Sequence, residues 1–164
     1  MTTATPATVR PWIGLIARLI LAGVFFAAGG AKVGDLAASG RAVNAYQLMP
    51  FEAANVVGAA LPFVELALGL LLLAGLATRL VAIASAALLT VFVAGIASAW
   101  ARGLAIDCGC FGGGGTLAAG QTPSYAPEIA RDLGLLIVAG YLIVFPRTRF
   151  SLDAFVLGDP SEEE

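Results

Sequence analysis

Cys108 and Cys110, the only cysteines of this 164-residue chain, sit one glycine apart in Asp107-Cys-Gly-Cys-Phe-Gly-Gly-Gly-Gly115, at the close of a long apolar stretch. Two thiols so near one another can cycle between dithiol and disulfide. A disulfide across Cys-x-Cys closes a small ring far from relaxed geometry, so it is strained and readily reduced. Gly109 eases the strain through its backbone freedom. Such a pair suits exchange better than permanent cross-linking, and the glycine run reads as a flexible loop that lets a partner approach.

Competing chemistries lack parts. Thiolates attract soft metals, yet a structural zinc site takes four ligands. The chain has no histidine and no second cysteine pair, and only Asp107 stands close enough in sequence to add a ligand, so no metal is expected, a site shared between two subunits being the one arrangement left open. Two inert cysteines in a loop are the bland alternative. The glycines do not make a phosphate cradle, because no Lys-Ser or Lys-Thr follows and no strand precedes them.

The elements that hold the pair are membrane spans. Hydrophobic residues make up 59% of the chain and charged ones 12%, with a mean hydropathy of +0.91. Soluble domains carry about 25% charged residues, and a span needs roughly 20 apolar ones. Four stretches qualify: Trp12 to Val33, Val56 to Ala77, Leu80 to Trp100, and Glu128 to Phe145. The fold class is therefore all-α, an integral membrane four-helix transmembrane bundle, with a short interfacial segment between spans one and two.

The layout is a polar tail over 1–11, a membrane domain over 12–146 with its cysteine loop at 107–127, and a surface tail over 147–164 ending in acidic residues. The first span lacks a clear cleavage site and is read as retained. A tight turn is expected at Thr78-Arg79. No basic, aromatic-studded patch suits nucleic acid.

Four spans place both termini on one side and the cysteine loop on the other. Arg10, Arg79, Arg147 and Arg149 balance Lys32, Arg41, Arg102 and Arg131, and Arg18, if it snorkels toward the amino-terminal side, favours cytoplasmic termini and an extracytoplasmic loop.

Charges within spans need explaining. Glu65 lies mid-span, where a carboxylate is paired, protonated or faces a cavity. Arg18 and Lys32 are both candidate partners, each ~10 Å from its depth at a rise of ~1.5 Å per residue. Such a pair fixes helix register or carries protons. Arg131 and Asp132 open the fourth span, where Asp132 suits the helix dipole and either residue could line the cysteine site. Arg102 or Arg131 could lower a thiol pKa, against Asp107. Trp12 and Trp100 read as interfacial anchors. A quinone pocket from Phe92, Trp100 and Phe111 is the one cofactor site considered, against the plainer reading of these aromatics as core.

Several segments, in this order, resemble the DoxX-like membrane proteins and, within them, the branch named for the methylamine utilisation protein MauE. They are Arg18 with Phe25 to Lys32 (FFAAGGAK), AYQLMP ahead of span two, Leu61 to Gly75 (LPFVELALGLLLLAG), Asp107 to Gly112 (DCGCFG), and Ala130 to Leu136 (ARDLGLL). The resemblance covers most of the chain; the threonine-rich start and the extended glycine run fall outside it. It implies a four-helix membrane bundle that works with a thioredoxin-like partner to supply or maintain disulfides in a periplasmic client. Cys108 and Cys110 would then be the redox pair, with Arg18, Lys32, Glu65, Asp107, Arg131 and Asp132 as supporting polar residues.

The expected function is thiol-disulfide exchange between this pair and an extracytoplasmic thioredoxin-fold protein. Electrons would leave through that partner, a quinone, or the same pair, so enzyme status stays open. Two other classes stand beside it: a non-enzymatic accessory subunit of a larger membrane complex, and a small-solute transporter built on Glu65.

Overall fold

The computed structural model describes residues 6–118 and 120–153. The outer parts of both tails, including the acidic run Asp159 to Glu164, lie outside the described residues. Among the described residues five helices follow one another: α1 (Pro6–Val33), α2 (Leu36–Ala45), α3 (Phe51–Ala74), α4 (Thr78–Ala101) and α5 (Tyr125–Val144). Between α4 and α5 the strands β1 (Ile106–Asp107) and β2 (Gly115–Thr116) pair antiparallel, Ile106 opposite Thr116.

Stretches within α1 (Val9–Val33), α3 and α4 are long and apolar enough to cross a bilayer, which makes this a multi-pass membrane protein. The 20-residue α5 completes the bundle against α4 and α1. It carries Glu128, Arg131 and Asp132 in its first turns, so its apolar stretch is shorter. Leu21, Phe25, Leu72, Ala82, Leu89, Ala139 and Leu142 form the bundle core, while Ile16, Val56, Leu70, Leu80, Val91 and Ile137 face outward. Apolar side chains on both the inside and the outside are what a lipid solvent demands.

Small residues set the close crossings. A Cβ on Gly58 would lie 2.6 Å from Gly40 Cα, so α2 meets α3 glycine to glycine, and a Cβ on Gly29 would reach 2.8 Å from the Pro62 carbonyl. Pro62 is thus buried within α3 where α1 packs on it. The interfacial segment between spans one and two is the helix α2, whose Asp35 cap accepts from the Ala38 amide at 2.8 Å.

Several boundaries differ from expectation. α1 begins at Pro6, six residues before Trp12: Pro6 stands at its first residue, where no amide is needed, and Pro11 lies in its second turn, where it forgoes one backbone hydrogen bond without ending the helix. The turn after α3 falls on Gly75 to Ala77, not Thr78-Arg79, with Gly75 as a left-handed cap at φ 68°. α5 starts at Tyr125, which puts Pro127 in its first turn, where no amide is needed. The segment after α5 is more than a surface tail. Arg18 Nη1 donates to Thr148 Oγ1 at 2.7 Å and Nη2 to the Phe150 carbonyl at 2.9 Å, while Asp153 accepts from the Ala77 and Thr78 amides at 2.6 and 2.8 Å. Residues 147–153 thereby clasp the end of the bundle opposite the cysteines.

Candidate functional site

The cysteine segment is a compact hairpin rather than an open loop. Gly109 has φ +67°, a Cβ there would come within 2.8 Å of Ala42 Cβ, and a Cβ on Gly114 would meet both Ala42 Cβ at 2.8 Å and Gly109 Cα at 2.5 Å. The glycines therefore serve close packing against α2 as well as backbone freedom. Asp107 Oδ1 accepts from the Gly109 amide at 3.1 Å, forming a local turn, and the Tyr46 hydroxyl donates to the Cys108 carbonyl at 3.1 Å. The Tyr125 hydroxyl donates to the Leu104 carbonyl and accepts from the Ile106 amide, tying the hairpin to α5.

Within this frame both thiols are free and adjacent, and the Cys110 amide donates to Cys108 Sγ at 3.3 Å. Cys108 is half-buried and Cys110 is 8% exposed. Their electrostatics differ. The Cys108 thiol hydrogen-bonds the Cys110 sulfur and, with the Arg131 guanidinium, holds the Cys110 thiol below its ordinary range, against burial and the Asp132 carboxylate. That same hydrogen bond, together with burial, pushes the Cys108 thiol up. The shared hydrogen bond thus favours the thiolate at Cys110 and the protonated thiol at Cys108.

Arg131 is held in place for this. Its Nε donates to Asp132 Oδ1 at 2.8 Å and its guanidinium lies 4.8 Å from the Phe111 ring centre. Asp132, 2% exposed, sits beside a void of about 20 Å³ that Cys110, Arg131 and Glu65 also line, and Asp132 Oδ2 and Glu65 Oε2 are buried there without a hydrogen-bond partner. About one water fits such a space.

Glu65 pairs with Lys32, Nζ to Oε1 at 2.6 Å, so of its two candidate partners the one on the cysteine side is used. Arg18 lies at the other end, in the clasp, and takes no part in the site. Arg102, considered as a source of positive potential, instead donates to the Tyr46 and Ser98 carbonyls. Of the three aromatics considered for a pocket, Phe92 lines a larger cavity of about 200 Å³ beside the thiols, Phe111 lines the small void, and Trp100 lines neither but stacks on Tyr125 at 6.2 Å.

Two residues of the site escaped sequence reasoning. Asp107, Cys108 and Glu128 bring their ligand atoms within 4.8 Å of one another, an arrangement that could hold a cation. Glu128 is 18 residues beyond Cys110 in sequence; its only signal was its place one turn before Arg131 and Asp132 on α5. Tyr46 was legible only as part of AYQLMP.

The family model of the methylamine utilisation protein MauE matches residues 10–145, which takes in the four long helices from Arg10 onward and the whole cysteine hairpin. The chain belongs to the MauE family. Comparison with curated proteins and with solved structures finds no match. Within this MauE-family fold the polar residues of α1, α3 and α5 that face inward at the cysteine end converge beneath one hairpin: Lys32, Glu65, Arg131 and Asp132.

Proposed function

We propose that this MauE-family protein exchanges thiol and disulfide equivalents through Cys108 and Cys110 with a thioredoxin-fold partner on the extracytoplasmic side, assisting disulfide formation in a client of methylamine utilisation. The observation that carries the reading is the asymmetry of the pair: a more exposed sulfur beside a buried one whose thiolate is favoured. When the pair is oxidised, a partner thiolate attacks Cys108 Sγ, the accessible sulfur. Cys110 leaves as the thiolate, and low thiol pKa makes a fast leaving group. The second partner thiolate then displaces Cys108, so the partner becomes a disulfide and the pair a dithiol.

The test is trapping in intact cells. In a Cys110→Ser variant expressed with a thioredoxin-fold partner whose second active-site cysteine is also replaced, neither side can resolve the bond at Cys108, so a mixed disulfide accumulates and is identified by mass spectrometry. A membrane-impermeant thiol reagent labels the wild-type pair only after mild reduction. Equal labelling with and without reduction, and no mixed disulfide, would sink the exchange reading. It would turn attention to the Asp107, Cys108 and Glu128 cluster as a cation site.

A further inference from the structure

Resting on the exchange reading, we infer that the cavity beside Cys108 and Cys110 takes the ring of a lipid-soluble quinone, which oxidises the reduced pair and leaves for the bilayer as quinol. The pair needs an acceptor, since the chain has no second cysteine pair and no histidine to carry electrons onward. The cavity is of the right kind. Its volume is about 200 Å³, and a dry apolar cavity of about 150 Å³ is enough for a benzene ring. Both thiols form part of its wall, along with Phe92 and Lys32.

Its position decides between a lipid and an aqueous oxidant. Around it stand Leu48 and Met49 ahead of α3, Val57 on α3 and Val91 on α4, all of them exposed. Among the described residues α3 and α4 are linked by only three residues yet touch far less than α1 and α3 or α4 and α5, so the cavity lies in a seam of the bundle. Exposed apolar side chains along a membrane bundle meet lipid, so this seam admits an apolar molecule from the bilayer. Lys32 supplies complementary charge. Its ammonium lies 5.6 Å from the Phe92 ring centre and spends one bond on Glu65, and an ammonium has three donors, so it can face a ring oxygen that gains negative charge.

The step balances as follows. The Cys110 thiolate adds to a ring carbon. Cys108 gives up its proton and its sulfur attacks Cys110, so the S–S bond forms, the C–S bond breaks, and the electron pair remains on the ring. The ring takes up the Cys108 proton and one from water, equal to the proton Cys110 had released. The dithiol loses two electrons and two protons, and the quinone gains both.

The reduced protein in lipid nanodiscs, mixed anaerobically with a short-tailed benzoquinone or naphthoquinone, reads this out. Loss of both free thiols, an intact-mass change of two hydrogens with no adduct retained, and matching quinol absorbance are expected. Val57→Trp at the mouth and Gly95→Leu inside should each lose this oxidation while a water-soluble disulfide still oxidises the pair. Quinone oxidation that persists in both filled variants, or wild-type protein oxidised by the soluble disulfide and not by quinone, overturns the proposal and leaves the exchange reading standing. Failure of the wild-type pair to react with either oxidant overturns both.

Discussion

Lys32 Nζ and Glu65 Oε1 stand 2.6 Å apart with side chains 4% and 0% exposed, one reaching from the end of α1 and the other from the middle of α3. Removing one member of such a pair leaves a buried charge alone, which costs about 3–5 kcal/mol, whereas replacing both by apolar groups is often neutral. Lys32→Met and Glu65→Leu should each lower the thermal unfolding midpoint in detergent sharply, and the double variant should recover most of the loss. If the double variant is as unstable as either single one, a stranded charge is not the source of the loss and the ion pair itself helps to hold α1 on α3.

Cys110 should ionise first. Both the Cys108 thiol and Arg131 hold its pKa below the ordinary thiol range, so its thiolate persists as pH falls through that range and vanishes only at the lower folded value. Thiolate ultraviolet absorbance against pH reads this directly. Cys108→Ala and Arg131→Gln should each move the Cys110 titration upward, because each removes a stabiliser of the thiolate. An unmoved curve would show that the asymmetry of the pair has another source.

The hairpin should be intolerant at Gly109. Alanine there meets two costs: left-handed backbone, about 1–2 kcal/mol for a residue with a Cβ, and the approach to Ala42 Cβ at 2.8 Å. Gly109→Ala should therefore lift the hairpin from α2 and speed alkylation of Cys110. Adding Ala42→Gly removes the clash alone, so it should restore part of the protection. Full restoration would mean that backbone strain contributes nothing.

Much of this arrangement can be read from residues alone, and the unread part has a common cause. Hydropathy marks α1, α3 and α4 because each must bury a whole length of backbone in hydrocarbon. The Cys-Gly-Cys pair is visible because its chemistry is local. Partner choice for Glu65 is not, since Arg18 and Lys32 lie at similar depth from it and only the packing of residues 147–153 on the far end claims Arg18 for Thr148 and Phe150. Glu128 and Tyr46 reach the cysteines across helices, a relation that no spacing along the chain encodes. The glycine run shows its composition in sequence but not the close approach of Gly114 to Ala42, which depends on where α2 lies.

Asp153 is the clearest case of a distant segment finishing a helix. The left-handed Ala77 that precedes α4 offers no capping side chain, and Asp153 accepts from the Ala77 and Thr78 amides in its place. Burial acts to raise its pKa, but the two amides and the Arg18 charge prevail and hold it below the usual carboxylate range. A depressed folded pKa means stability that is fully present above the unfolded value, about 3.9, and lost as pH falls through the lower folded one. Asp153→Ala should remove that pH-dependent part and lower stability at neutral pH by about 0.5–2 kcal/mol, the usual worth of a helix cap. Thermal melts of the wild type and the variant across acidic pH check it: the two curves should converge at low pH. Curves that stay parallel would show that the carboxylate charge is not what the cap relies on.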